Sequence, residues 1–355
     1  MDNLVPRVHA DPPFSLNPVP AVTSEGNTVS LVLSAIGAVP NIQYRFRFSV
    51  TDPAGKTVQS LTENYTTAPN QYSFTKVVLY PSPALPGSNT LVGQYNANVD
   101  ELWPTAAPGV AGTSFILSIT DSSSYQRTQT VIIHAAGYNA SESVTIMIRT
   151  QTTSTLVFSA LVSATSSGVV AISWKIPKNA PIDSYIVALT GTSTVKNPAD
   201  SERISIVAAI MTISSITSVK SAYQRTDTMG FYFQPTYPDG TFPSTGVGLL
   251  TLAGPNGGSA TLTATYDNTS QTFEASYQTF LDNQTGTWTA SLGGHAYSDS
   301  YGNSGPGIIV TTSSPLRTIP LTVTVTTNST IAVGHSSSST RQSHILTEQF
   351  SSRAL

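Results

Sequence analysis

Apolar and polar residues alternate with a period of two over much of the chain. Tyr44-Arg45-Phe46-Arg47-Phe48-Ser49-Val50 and Val170-Ala171-Ile172-Ser173-Trp174-Lys175-Ile176 place every second side chain on an apolar face, the pattern of a strand buried on one side. The same alternation runs through residues 260–266, 273–277 and 321–325, with Thr, Glu or Ser on the wet face. No segment carries a convincing 3.6-residue period, so the predicted elements are strands. Turn chemistry separates them. Asp52-Pro53-Ala54-Gly55, Pro238-Asp239-Gly240 and Pro255-Asn256-Gly257-Gly258 each supply a preset φ or a glycine that tolerates positive φ. Short antiparallel strands joined by such turns predict β-sandwiches.

A repeat sets how many. Tyr125-Gln126-Arg127-Thr128-Gln129-Thr130 returns as Tyr223-Gln224-Arg225-Thr226-Asp227-Thr228, with five of six positions identical. A second element recurs at similar spacing: Gly93-Gln94-Tyr95-Asn96-Ala97, Asp183-Ser184-Tyr185-Ile186-Val187 and Gly286-Thr287-Trp288-Thr289-Ala290. Strand-like closers are expected after each, at 114–119, 203–207 and 317–325. The predicted organisation is an extended leader over 1–18, sandwiches over 19–120, 121–218 and 219–326, and a flexible polar tail over 327–355. The recurring aromatic fits the tyrosine corner of immunoglobulin-like sandwiches, a Tyr that hydrogen-bonds back to a nearby loop. Two residues on, where an antibody domain has Cys, stand Ala97, Val187 and Ala290, so packing alone joins the sheets and the antibody family is excluded. Residues 203–207 run into Ile210, Ile213 and Ile216 without Pro or Gly, which predicts stiff coupling and a rod on the order of 100 Å.

Composition narrows the function classes. Charged residues are 10% of the 355, against about 25% in ordinary soluble proteins, so the wet faces are hydroxyl-rich. The net charge of −3, with no Lys/Arg cluster, lacks the footprint needed for nucleic acid or an anionic membrane surface. Cysteine is absent, which removes disulfides, thiolate catalysis and thiolate metal sites. No stretch has the roughly 20 apolar residues of a membrane helix. Val8-His9-Ala10 before Asp11 has the small-residue form of a secretory cleavage site, an ordinary polar leader being the alternative.

On the Tyr-x-x-x-x-Thr strand opener and the Gly-x-Tyr-x-Ala closer, residues 19–326 resemble the immunoglobulin-like and macroglobulin-like modules of archaeal and bacterial surface proteins. The resemblance implies an extracellular or cell-surface location, no catalytic residues, and a surface filament, S-layer-associated protein or adhesin that binds other surface proteins or itself. The alternative is a carbohydrate-binding module array, accessory to a larger secreted hydrolase.

Catalytic patterns are missing: there is no G-x-S-x-G, H-E-x-x-H, Walker loop or G-x-G-x-x-G. Asp227-Thr228-Met229-Gly230 has an insertion relative to an aspartic-protease Asp-Thr-Gly and no second copy. The five histidines are scattered without metal-ligand spacing, and no metal site or cofactor is assigned. The candidate ligand loop lies in the third unit, where Trp288 to Ile319 spans more residues than Tyr95 to Phe115 or Tyr185 to Ile204. It carries His295, Tyr297, Asp299, Tyr301 and Asn303, aromatic platforms and oxygen donors for a sugar or Ca²⁺; Trp103 marks the corresponding loop of unit one. An irregular loop packed on the adjoining domain is the competing expectation. Sequons occur at Asn64, Asn139, Asn268, Asn283 and Asn328, with Asn64 and Asn283 in loop-like sequence, though this Ser/Thr-rich composition produces such a number by chance. Arg45 and Arg47 are expected on the solvated face of their strand.

Overall fold

The computed structural model describes residues 12–83, 89–306 and 309–319. Every regular element among them is a β-strand. The first sandwich contains β1 (Phe14–Val19), β2 (Val22–Ser24), β3 (Val29–Ile36), β4 (Gln43–Thr51), β5 (Thr57–Thr66), β6 (Ser73–Tyr80), β7 (Gly93–Trp103) and β8 (Ala111–Ser118). The second contains β9 (Ser124–Gln126), β10 (Thr130–Ala135), β11 (Ser143–Thr150), β12 (Leu156–Ser163), β13 (Val170–Lys175), β14 (Asp183–Gly191) and β15 (Ser201–Val207). The third contains β16 (Ile216–Ser218), β17 (Tyr223–Gln224), β18 (Thr228–Phe233), β19 (Val247–Ala253), β20 (Ser259–Asp267), β21 (Thr272–Gln278), β22 (Gly286–Ser298) and β23 (Val310–Arg317).

One connectivity repeats three times. Sheet β1-β3-β6 faces β2-β8-β7-β4-β5, and β10-β13 faces β9-β15-β14-β11-β12; in the third sandwich the corresponding strands join edge to edge as β16-β18-β21-β20-β19-β22-β23-β17. The joining edge is β20 against β21 over residues 265–267 and 272–274. A short strand runs parallel to the last strand in each unit, β2 on β8, β9 on β15 and β17 on β23. The antiparallel pairs expected of hairpin-joined strands form the rest.

Alternation places the cores. In β4, Tyr44, Phe46, Phe48 and Val50 point inward and are fully buried, while Arg45 and Arg47 face solvent. Trp174 is the inward anchor of β13, with Ala171, Ser173 and Lys175 exposed. Each sandwich has its own core, built on Leu31, Phe46 and Tyr95, on Val131, Ile146 and Tyr185, and on Phe231, Leu250 and Phe273. Burying an aromatic or branched apolar side chain stabilises by about 1.5–3 kcal/mol, so dozens of such residues suffice without disulfides.

Two sequence expectations shift. The third core already includes Ala209, Met211 and Ile216, so the boundary expected at 218/219 falls about ten residues late for that core; the isoleucine-rich link is an opening segment of unit three rather than a spacer. The third closing strand is β23, ahead of the expected 317–325. Residues 321–325, the expected leader up to residue 11, the tail and Asn328 lie outside the described residues.

The recurring aromatics act as corners. Tyr95 Oη donates to Leu91 O at 3.1 Å, Tyr185 Oη to Pro181 O at 2.7 Å and Trp288 Nε1 to Gln284 O at 3.0 Å. Each bond reaches four residues upstream, and the Trp indole replaces the phenol without changing its partner.

Candidate functional site

Each sandwich has a head, the loop between its last two long strands (104–110, 192–200 and 299–306), and a foot, the turn following the short parallel strand. In the foot a residue with positive φ reverses the chain: Gly26 at +81°, Thr128 at +71° and Thr226 at +72°. The residue before it is charged in all three, namely Glu25, Arg127 and Arg225. In the first two feet that side chain reaches the head of the following sandwich; in the third, Arg225 bonds to Asn283 O of its own sandwich. The heads and feet of successive sandwiches meet through Glu25 and Arg127.

At the first junction Glu25 is completely buried. Its Oε2 accepts from the Ala136 N–H at 3.1 Å and from Lys196 Nζ at 2.9 Å, and Lys196 Nζ also reaches Asp200 Oδ2 at 2.5 Å. Tyr138 donates its hydroxyl to the same Asp200 oxygen at 2.6 Å, and the Lys196 ammonium lies 4.6 Å from the Tyr138 ring centre. Two carboxyl groups thus share one ammonium away from water, an arrangement that pushes Glu25 up to about 8 through burial and then through Asp200, with Lys196 opposing. Glu25 Oε1 and Asp200 Oδ1 are buried without a hydrogen-bond partner. Glu202 holds the linker, accepting from Ser118 Oγ at 2.8 Å, the Ile119 N–H at 2.9 Å and the Thr120 N–H at 3.1 Å. Val92 of the first sandwich packs into the second core, and a Cβ on Gly137 would lie 2.5 Å from Thr90 Cβ, so the two backbones approach closely.

At the second junction Arg127 performs the same task with opposite charge. Its Nε donates to Ala180 O at 2.6 Å within its own sandwich, while Nη1 donates across to Tyr301 O at 2.7 Å and Asn303 Oδ1 at 3.2 Å. Asn303 is fully buried. Its Oδ1 also accepts from the Ala209 N–H at 2.8 Å, and its Nδ2 donates to Lys178 O at 3.0 Å and Asp299 Oδ2 at 2.7 Å. Asp299 also accepts from Tyr237 Oη and from the N–H groups of Tyr301 and Asn303. Tyr237 and Asp299 therefore repeat Tyr138 and Asp200, and in both heads burial followed by the adjacent carboxylate raises the phenol. Lys175 pairs with Asp239 at 2.7 Å and Lys178 Nζ donates to Ser244 Oγ at 2.8 Å on the rim.

The residues singled out for a ligand loop separate under this geometry. Tyr297, Asp299 and Asn303 are buried and their polar atoms are used internally, Tyr297 Oη by Met211 O at 2.8 Å. His295, with φ of +60°, and Tyr301 are exposed. Trp103, 59% exposed, belongs to the first sandwich and is not brought together with them. The true strand partner of Trp288 is Ser314, not Ile319, so 26 residues separate the pair against 20 for Tyr95 and Phe115 and 19 for Tyr185 and Ile204. The insertion is real but shorter, because β22 itself is long. Among the described residues no three His, Asp or Glu side chains converge on one point. Among the sequons, Asn64 is exposed within β5 rather than in a loop, Asn139 and Asn268 are exposed beyond strand ends, and Asn283 is half-buried in the third foot.

Glu25, Lys196, Asp200, Arg127 and Glu202 are joined only by the fold, and no local pattern in the chain singles them out as junction residues. The available signal was the repeat itself, which carries an arginine through both copies in a chain where charge is scarce.

No protein-family model matches the chain, and comparison with curated proteins gives no match either. Among solved structures it is similar to a tetra-tandem repeat in the extending region of a large adhesion protein, at 13% identity and a TM-score of 0.32, covering 86% of this chain and 74% of that one. It is similar to Salmonella alpha-2-macroglobulin mutant Y1175G at 13% identity and a TM-score of 0.34, covering 88% of this chain and 20% of that one. The three N-terminal domains of the bacteriophage RB49 Highly Immunogenic Outer Capsid protein follow at 10% identity and a TM-score of 0.25, covering 86% and 99%. The chain is an all-β protein of tandem sandwiches.

Proposed function

We propose that this is a non-enzymatic extracellular structural or adhesive protein, a spacer whose task is to hold its ends at a fixed separation in a cell-surface assembly. The observation that carries the proposal is the junction chemistry. A spacer without positional duty needs only a linker between modules, and flexible linkers are polar and unpacked. Here each junction buries a charged group with partners on the other sandwich, Glu25 with Lys196 and Arg127 with Tyr301 O and Asn303 Oδ1, and each charge-assisted hydrogen bond lost on bending costs about 1.5–3 kcal/mol. Bending at these joints is therefore expensive.

Small-angle scattering tests this on wild type and on Arg127→Met combined with Lys196→Met. Extrapolated to zero concentration, so that only the single chain is read, the wild type should give one maximum dimension that does not change with salt, and the variant a broadened, flexible distribution. Equal flexibility in both would overturn the spacer reading.

A sugar-binding role has one observation in its favour. A groove of about 530 Å³ on the third sandwich is lined by Tyr232, Thr263, Thr265, Glu274 and Ser276, an aromatic beside hydroxyls and a carboxylate. A glycan array in which Tyr232→Ala abolishes a signal would establish it.

A further inference from the structure

The third foot repeats the design of the second. Arg225 Nε donates to Asn283 O at 2.8 Å, as Arg127 Nε donates to Ala180 O at 2.6 Å, and both acceptors lie five residues before the corner aromatic. The guanidinium is thus oriented from within its own sandwich in both copies. Arg127 spends Nη1 on the next head; Arg225 makes no hydrogen bond or ion pair through Nη1 or Nη2 among the described residues. Beside it Phe280 and Leu281 are 57% and 66% exposed, and Leu281 stands where the second foot has Lys178, whose ammonium lies 5.8 Å from the Tyr301 ring centre.

The first head has the matching form. Its buried Glu101 accepts from the Thr105 hydroxyl, four residues on, as Asp299 accepts from Asn303. The Glu101 N–H donates to Ala107 O at 2.8 Å, as the Asp299 N–H donates to Asn303 O at 2.9 Å. Two residues after each carboxylate stands an exposed aromatic, Trp103 in the first head and Tyr301 in the third. The Tyr301 carbonyl and the Asn303 side chain are what Arg127 grips; their counterparts are the Trp103 carbonyl and the Thr105 hydroxyl oxygen, which keeps lone pairs after donating to Glu101.

We infer that the third foot binds the first head of a second copy of this chain, with Arg225 donating to the Trp103 carbonyl and Thr105 Oγ1 and the Trp103 indole packing on Phe280 and Leu281. The charge of Asp100 is already paired with Arg47 at 2.6 Å, so the contact uses neutral oxygens for the guanidinium, as Arg127 uses the Tyr301 carbonyl and the Asn303 amide oxygen. The contact is heterologous, foot to head, and leaves a free foot and a free head at the two ends, so it propagates as an open polymer rather than closing as a dimer. It rests on the spacer reading and extends it, making the junction between molecules the same device as the junctions within one.

Sedimentation of the full chain over a concentration series tests it, with Arg225→Glu and Trp103→Glu. Trp103 is 59% exposed, so Trp103→Glu should keep the wild-type melting temperature; Arg225 is half-buried and its Nε holds Asn283 O, so Arg225→Glu should lower it slightly, and Phe280→Glu, at an exposed position of the same foot, serves as the second foot variant. Wild type should grow in average mass with concentration without a plateau at two copies. Each variant alone should associate at least about tenfold more weakly, the loss typical of removing a central Arg or Trp anchor. Mixed together, a foot variant and the Trp103→Glu head variant retain one intact foot and one intact head between them, and should form a one-to-one pair that goes no further. A wild type that stays monomeric throughout, a mass that stops at a dimer, or association that ignores the foot and head substitutions would overturn the proposal. None of these results touches the scattering test of internal stiffness, so the two readings fail separately.

Discussion

Charge is scarce in this chain, and much of what exists is spent where two sandwiches meet. Glu25 and Lys196 lie 171 positions apart, and Arg127 and Asn303 176, distances over which no local pattern links one residue to the other. That is why the alternation revealed Arg45 and Arg47 as a solvated face while the interdomain clamps stayed hidden: the first is a property of one strand, the second of two folded surfaces. The Glu25 cluster makes a pH prediction. In the folded chain burial and Asp200 hold the Glu25 proton up to about 8, whereas an unfolded glutamic acid releases it near about 4.3. Between these values the folded state binds more protons than the unfolded one, so stability is complete below the unfolded value and declines as pH rises through the folded one. Urea midpoints measured from about pH 5 to about 8 should fall with rising pH in the wild type. Glu25→Gln, which keeps the shape and cannot ionise, should remove most of that slope; an unchanged slope would show that other groups are responsible. Glu142 behaves in the opposite way. Burial opposes its ionisation, yet the Thr194 hydroxyl and the N–H groups of Thr194, Ser193 and Asn139 hold its carboxyl down to about 2, so it stays charged throughout this range.

Strands were the most legible level, because a period of two is a direct consequence of the pleat. The expected strands at 44–50, 170–176, 260–266 and 273–277 all form, and the Asp52–Gly55 turn closes as expected, Gly55 at φ of +83° with its N–H on Asp52 O at 3.0 Å. The short strands β2, β9 and β17 were harder to see. At two or three residues each they contain no full period, and they are held by parallel pairing to a strand that arrives about 90 residues later. The corner aromatics were legible as a recurrence, and their shared function gives a test at this scale. Tyr185→Phe and Tyr95→Phe each delete one hydroxyl that bonds to a carbonyl four residues upstream while keeping the ring in the core. Each should cost about 1 kcal/mol of unfolding free energy, read from urea unfolding of the full chain. Trp288→Phe removes both the donor and ring volume beside Tyr277, whose ring centre is 5.6 Å away, and should cost about 2–4 kcal/mol. Equal effects from all three would show that the hydrogen bond, not packing, dominates the corner.

For the whole molecule, a repeat of foot and head turns three stable cores into a chain of coupled units. Each core is large enough to fold by itself, but the second borrows Val92 and Ile119 from upstream of β9, and the third begins at Ala209 within the link. Stability should then be a sum of the units plus nearest-neighbour terms, as in other tandem arrays. Pulling a single molecule by its ends separates the two contributions. The folded spans are each on the order of 100 residues, and a residue pulled straight contributes about 3.3–3.6 Å, so wild type should unfold in three steps of about 300 Å. The nearest-neighbour term appears in the spacing of events: once one sandwich opens, its neighbour has lost a clamp and should fail at lower force than it did while both junctions were intact. Arg127→Met should abolish that dependence between the second and third sandwiches and leave it between the first and second, where Glu25, Lys196 and Asp200 still hold. Three events whose forces are independent in wild type would mean that the buried charges fix the angle of the junction without stabilising the sandwiches on either side.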